Sequence, residues 1–241
     1  FSAQGNIEKA LEYLNLASNI YLSLKDSSKL AILEASIGKV YKQKGVNSSA
    51  LEHYLNALRY NKNTGNLQVT GTCLQLIGTI YSDLGDNEHA LEFNNKALEC
   101  FKLINHKKGI TTLYNNIGLN YSVFGDYDKA LFYFQKSYLL KMELQDSSGA
   151  ANVVDNIGMA YYEKGNYPEA LKHCLNAVKI EDKLNDPYAL CGSLANAGKA
   201  YSKLKQFDKA LEFLKRSILI CKAEIYNENL LNAYSVMDDI Y

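Results

Sequence analysis

Apolar and small residues recur three and four positions apart along the whole chain, in runs of about 16 residues separated by short polar breaks. The stretch Ile117-Gly118-x-x-Tyr121-x-x-x-Gly125-Asp126-x-x-x-Ala130-Leu131 shows the pattern well, with the spacing continuing on both sides of Gly125. It predicts two amphipathic helices of about four turns each, not strands. Gly125 ends the first helix in a conformation that a side chain resists, and Asp126, like Asp86 and Asn166, is placed to cap the next. A second kind of turn carries Asp26, Asn66, Asp146 and Asp186, again good caps for the helix that follows.

These breaks are periodic. Gly38, Gly78, Gly118, Gly158 and Gly198 stand at uniform steps of 40, as do Phe1, Tyr41, Tyr81, Tyr121, Tyr161, Tyr201 and Tyr241. Gly45, Gly85, Gly125 and Gly165 follow the same step, and so do Ala10, Ala50, Ala90, Ala130, Ala170 and Ala210, each followed by leucine. A fixed period of this length is the signature of a repeat architecture. First helices are predicted near 29–44, 68–84, 108–124, 148–164 and 188–204, and second helices near 8–24, 48–64, 88–104, 128–144, 168–184 and 208–224. The glycine inside each first helix costs about 1 kcal/mol against alanine, so close approach of a neighbouring helix is expected there.

A small residue in the first helix, an aromatic three later, a turn glycine, Ala-Leu and a second small residue (Ala17, Ala57, Ala97, Ser137, Ala177, Ser217) together resemble the tetratricopeptide repeat. The resemblance implies an all-α, right-handed solenoid of antiparallel helix hairpins. One domain is expected over residues 1–241, with repeats 31–70, 71–110, 111–150, 151–190 and 191–230 and partial repeats 1–30 and 231–241. The usual period is about 34, so these units are long. Their wording, as in Asn115-Asn116-Ile117-Gly118, is similar to the repeat regions of bacterial sensor kinases and regulators, and less closely to the Leu-Gly-Asn-repeat adaptors.

Composition narrows the function classes. The 26 basic and 26 acidic residues cancel, and arginine stands only at Arg59 and Arg216, which argues against nucleic acid as partner. No run approaches the roughly 20 apolar residues of a membrane span, so no membrane insertion of this chain is expected. The five cysteines lack metal or disulfide spacing and read as small buried hydrophobes. His53 and His173 share one repeat position and read as packing or surface residues. With no nucleophile, phosphate-cradling or metal motif, the expectation is a protein that is not an enzyme and needs no cofactor. The chain begins Phe1-Ser2-Ala3-Gln4, which reads as a processed or excised fragment. It is expected as a soluble domain, cytoplasmic or on the extracytoplasmic side of a membrane-anchored sensor.

The resemblance places the first helices on a concave face. Positions that vary while the framework stays constant are the candidate reading surface: Lys39, Asn115, Asn116, Leu119, Val123, Asp155, Asn156, Met159, Tyr162 and Lys199. This mixture of apolar, aromatic and amide groups suits an amphipathic helix or extended segment. The asparagine that follows the small residue in chaperone-tail receptors and Leu-Gly-Asn adaptors is replaced by Lys39, Thr79, Leu119, Met159 and Lys199, which argues against both of those modes. The expected function is protein or peptide binding within a larger signalling protein. The alternative is a structural spacer or homodimerisation module. Lys205 at a turn-glycine position and Asp238 at a helix-glycine position predict a looser array near the C-terminal end.

Overall fold

The structure, a computed structural model, describes residues 3–224, 226–238 and 240. Among them are twelve helices and no strand: α1 (Ala3–Ser23), α2 (Ser27–Gln43), α3 (Asn47–Asn61), α4 (Leu67–Asp83), α5 (Asn87–Leu103), α6 (Lys107–Val123), α7 (Tyr127–Glu143), α8 (Ser147–Glu163), α9 (Tyr167–Leu184), α10 (Pro187–Lys203), α11 (Phe207–Glu224) and α12 (Asn227–Asp238). The expected all-α hairpin array is therefore the observed one, most helices starting one residue earlier than the periodicity places them. Phe1 and Tyr241, which the repeat puts on framework positions, lie outside the described residues. The chain divides into two compact units, Phe1–Asn120 and Tyr121–Tyr241.

In the first unit, α2 packs on α3 and α4 on α5, with α1 on α2 and α3 on α4. Its core holds Ala50, Tyr54, Ala57, Cys73, Ile77 and Ile80, all fully buried. In the second unit the hairpins are α8–α9 and α10–α11, and the first helices α8, α10 and α12 also touch in succession. Leu214, Ala195, Ala233 and Val236 form one cluster there, and Ala130, Phe134, Val153 and Ile157 another.

The repeated residues have repeated jobs. A Cβ on Gly38 would lie 2.6 Å from the Tyr54 ring and 3.1 Å from the Ala50 carbonyl oxygen. On Gly158 it would meet Cys174 Sγ at 2.7 Å and the Ala170 oxygen at 3.2 Å. The helix glycine and the alanine of the following helix thus mark the crossing point of each hairpin, where neither tolerates a larger group. The framework tyrosine stacks on an aromatic ring one turn beyond that crossing: Tyr41 on His53 at 5.2 Å, Tyr81 on Phe93 at 5.4 Å, Tyr121 on Tyr133 at 5.6 Å and Tyr161 on His173 at 5.5 Å. His53 and His173 are therefore packing residues.

Both turns are Schellman-like. The N–H of Asp126 donates to the Tyr121 carbonyl at 3.0 Å across Gly125, whose φ is +75°. Lys205 keeps the same turn with φ +58°, and Gln206 N–H reaches the Tyr201 oxygen at 3.0 Å, so losing the glycine does not lose the turn. Asp26, Asp86, Asp126, Asp146, Asn166 and Asp186 accept backbone N–H bonds at helix starts as expected. At the start of α6 the acceptor is His106 Nδ1, 3.0 Å from Gly109 N. α3 ends at Asn61, short of the expected 64. The Asn61 carbonyl is claimed by the Thr64 and Gly65 N–H groups, and its amide donates to Asn66 O and Thr70 Oγ1 at 2.8 Å.

Candidate functional site

With the framework absorbed in packing, the first helices are left with one outward stripe, spaced i, i+3, i+4, i+7. In the first unit, Ile32, Ala35 and Lys39 of α2 face Val69, Thr72 and Leu76 of α4 across a cavity of about 380 Å3. Ile32 is 51% exposed, and Lys39 is exposed with no anionic partner among the described residues. A smaller hollow of about 160 Å3 is lined by Thr79, Ser82, Asn94, Asn116 and Leu119, of which Thr79 and Leu119 stand at the repeat position of Lys39 and Asn116 at that of Leu76. Leu119 is 42% exposed. Asn115 is half-buried beside it on α6. Below this hollow, Asn94 Nδ2 donates to Asn120 Oδ1 at 3.0 Å, and Asn120 Nδ2 reaches Asn87 Oδ1 at 3.3 Å. Val123, at the end of α6, is 66% exposed.

In the second unit the stripe runs over α8 and α10. Met159 and Asn156 are half-buried, and Tyr162 lies with its ring edge-on to Tyr167 at 5.3 Å. Lys199 Nζ sits over the Tyr162 ring at 5.4 Å, so the one lysine expected here is held against an aromatic face. Asp155 is not a surface group. Its Oδ2 accepts from Asn196 Nδ2 at 2.7 Å, and its Oδ1 is sealed from solvent without a partner. Burial pushes its carboxyl up to about 6.

The structure has Lys39 on the first-unit face, Asn115, Asn116 and Leu119 on α6, and Asn156, Met159, Tyr162 and Lys199 on the α8–α10 face, with the Asp155 carboxylate turned beneath that face. Residue typing missed Ile32, Val69, Thr72 and Leu76, although the spacing of Ile32 from Lys39 on α2, and of Val69, Thr72 and Leu76 along α4, was there to be read. It also missed Glu181 and Ser193, which neighbour Asp155 from below. All five cysteines are free; Cys73, Cys174, Cys191 and Cys221 are buried and Cys100 is half-buried. Among the described residues, no helix is long and apolar enough to cross a membrane.

Models of the tetratricopeptide repeat match residues 29–102 and 147–223, and a further one matches 111–141. The chain belongs to the tetratricopeptide repeat family. No curated protein sequence matches it. Among solved structures it is similar to BtubC (BKLC) from P. vanneervenii, with a TM-score of 0.78 at 19% identity over 93% of each chain. It is also similar to the apo form of the quorum sensor NprR from B. thuringiensis, with a TM-score of 0.75 at 19% identity, over 96% of this chain and 65% of that one. A third is a signal transduction ATPase with numerous domains from Pyrococcus horikoshii that carries a tetratricopeptide repeat sensor. There the TM-score is 0.79 at 18% identity, and the chain spans only 36% of that protein. At these identities the likeness is one of fold.

Proposed function

We propose that this chain is a protein- or peptide-binding repeat scaffold, the sensory or docking part of a larger signalling protein, and not an enzyme. One observation carries the reading. The residues that repeat are those packed at helix crossings or holding the turns, whereas the residues that change from unit to unit line the open stripe of the first helices. Leu119 at 42% exposure and Ile32 at 51% leave apolar area uncovered beside amides that can satisfy a partner's backbone. The signalling context is supported by the names of fold neighbours: a quorum sensor, and a Rap protein crystallised with competence and sporulation factor. Histidines and cysteines, the usual carriers of chemistry, are spent on stacking, capping and core filling.

Leu119→Asp and Met159→Asp, made separately, test the two faces. A selected peptide ligand is expected to bind at least tenfold more weakly to one of the two, with helical content by circular dichroism unchanged. Wild-type affinity in both variants would rule the stripe out. A spacer or self-association role is the competing reading, favoured by the exposed apolar row Tyr13, Leu16 and Ile20 on α1. Solution mass separates the two, since a tight dimer that binds no peptide would support the spacer.

A further inference from the structure

Beneath the α8–α10 face lies a cluster of acids that the binding reading does not use. Asp155 of α8 and Glu181 of α9 both neighbour Ser193 of α10, and Cys174 of α9 lies against Asp155. Glu181 is 2% exposed. Asp155 Oδ1 and Glu181 Oε2 are both buried without a hydrogen-bond partner. Glu181 stands at a repeat position held elsewhere by Asn61, Phe101, Lys141 and Cys221, so an acid there departs from the pattern of the array.

We propose that Asp155 and Glu181 form a proton-operated clamp in the second unit, fastening α8, α9 and α10 when protonated and loosening them when ionised.

Burial opposes ionisation, and the hydrogen-bonding side chains Asn196, Ser193 and Cys174 at Asp155, and Ser193 at Glu181, offset it only in part. Asp155 has Cys174 and Glu181 toward it from α9, and Ser193 and Asn196 from α10. Asn196 is its one amide donor, at 2.7 Å. Glu181 has Asp155, Ser193 and the α10 cap Asp186 around it. Among the described residues, no basic side chain acts on either carboxylate. On α7, which also packs on α8, Lys129 is paired with Asp126 at 2.7 Å, Lys141 with Asp146 at 2.8 Å, and Lys136 lies over the Phe132 ring at 4.3 Å. A buried carboxylate with no cationic partner is costly, and two of them repel. Burial first, and for Glu181 also the neighbouring acids, push Asp155 up to about 6 and Glu181 up to about 7.

The sign follows from linkage. Both acids bind protons more tightly folded than unfolded, so their contribution is fully present below the unfolded carboxylate range and is lost as pH rises through about 6 and 7. This runs opposite to acid denaturation. The helix caps Asp86 and Asp126, whose carboxyls are held low by the bonds from His89 and Lys129, stay ionised above about pH 5. Between about pH 5 and 8 the other side chains that titrate are histidines. On these helices His173 of α9, stacked on Tyr161 and held below its usual range by burial, loses stability as pH falls and so works against the clamp's sign rather than mimicking it.

Hydrogen exchange of the full chain tests this, comparing amides of α8–α10 at pH 5.5 and 7.5 after correction for intrinsic rates. Protection is expected to fall about tenfold or more on raising the pH, since a tenfold difference in proton affinity between closed and open forms moves the opening equilibrium tenfold. Glu181→Gln and Asp155→Asn should each reduce that pH dependence. A second measurement covers loss of fold: the wild type should release protons on unfolding near pH 6.5, and Glu181→Gln fewer. Equal protection at both pH values in the wild type, or a full wild-type pH response in both variants, would overturn the clamp.

Discussion

Two glycines in one helix separate close approach from intrinsic helix propensity. Gly192 and Gly198 both lie inside α10, so replacement by alanine relieves each of the same backbone-entropy penalty, about 0.5–1 kcal/mol. Their surroundings differ. A Cβ on Gly192 would meet nothing nearer than Asn229 Oδ1 at 3.9 Å, an ordinary contact. A Cβ on Gly198 would stand 2.8 Å from Leu214 Cγ, 3.0 Å from its Cδ2 and 3.3 Å from the Ala210 oxygen. Leu214 is fully buried against Ala195, Ala233 and Val236 and has nowhere to retreat. Overpacking of this kind costs about 1–3 kcal/mol. Gly192→Ala should therefore raise the urea midpoint, by an amount worth about 0.5–1 kcal/mol, and Gly198→Ala should lower it. The two variants are expected to differ by about 1–3 kcal/mol with m-values unchanged. If both move in the same direction by the same amount, the helix glycine is not there to let the hairpin close.

Three further outcomes follow from local geometry. Lys205 holds φ +58° where Gly45, Gly85, Gly125 and Gly165 stand in equivalent turns, so Lys205→Gly should stabilise by about 0.5–1 kcal/mol in thermal unfolding; a loss of stability would contradict the turn assignment. His106→Ala removes the acceptor 3.0 Å from Gly109 N and the ring 4.8 Å from Phe101, and should cost about 1–2 kcal/mol, with hydrogen exchange rising first at the start of α6. Cys100 is the one thiol only half-buried, whereas burial pushes the enclosed Cys73 thiol up to about 12. A small alkylating agent at pH 7.5 should modify Cys100 first and reach the other four cysteines only after denaturation, and equal rates would show the core to be open.

The hairpin array was legible because steric demands at its crossings and turns repeat. A glycine whose added Cβ would meet a tyrosine ring at 2.6 Å, or one that adopts φ +75°, leaves sequence few choices, so Gly38 and Gly125 announce themselves. The cap at His106 was not legible, since imidazole joins the usual acceptors only when its unprotonated nitrogen is turned to the helix start. Lys205 was legible as a change of residue but not as a retained turn, because the flanking hydrogen bonds impose its conformation. Among candidate binding residues, Leu119 and Met159 could be placed from register alone. Asp155 could not: register puts it on the open stripe, but whether its carboxylate turns outward or down toward Asn196 and Ser193 depends on neighbouring helices. Glu181 was readable in principle, being an acid at a position its counterparts fill with buried or half-buried groups.

The central claim is that the first-helix stripe, and not the repeated framework, recognises a partner. Selection from a displayed random-peptide library on the wild-type chain, followed by affinity measurement on Leu119→Asp, Met159→Asp and an outer-face control, Leu219→Asp, tests it directly. Leu219 is 71% exposed on the second helix α11. The account requires that enriched peptides share an apolar anchor, lose at least tenfold in affinity on one of the two stripe variants, and bind the control normally. Peptides that bind all three variants equally well, or that lose affinity only on Leu219→Asp, would place recognition elsewhere on the molecule.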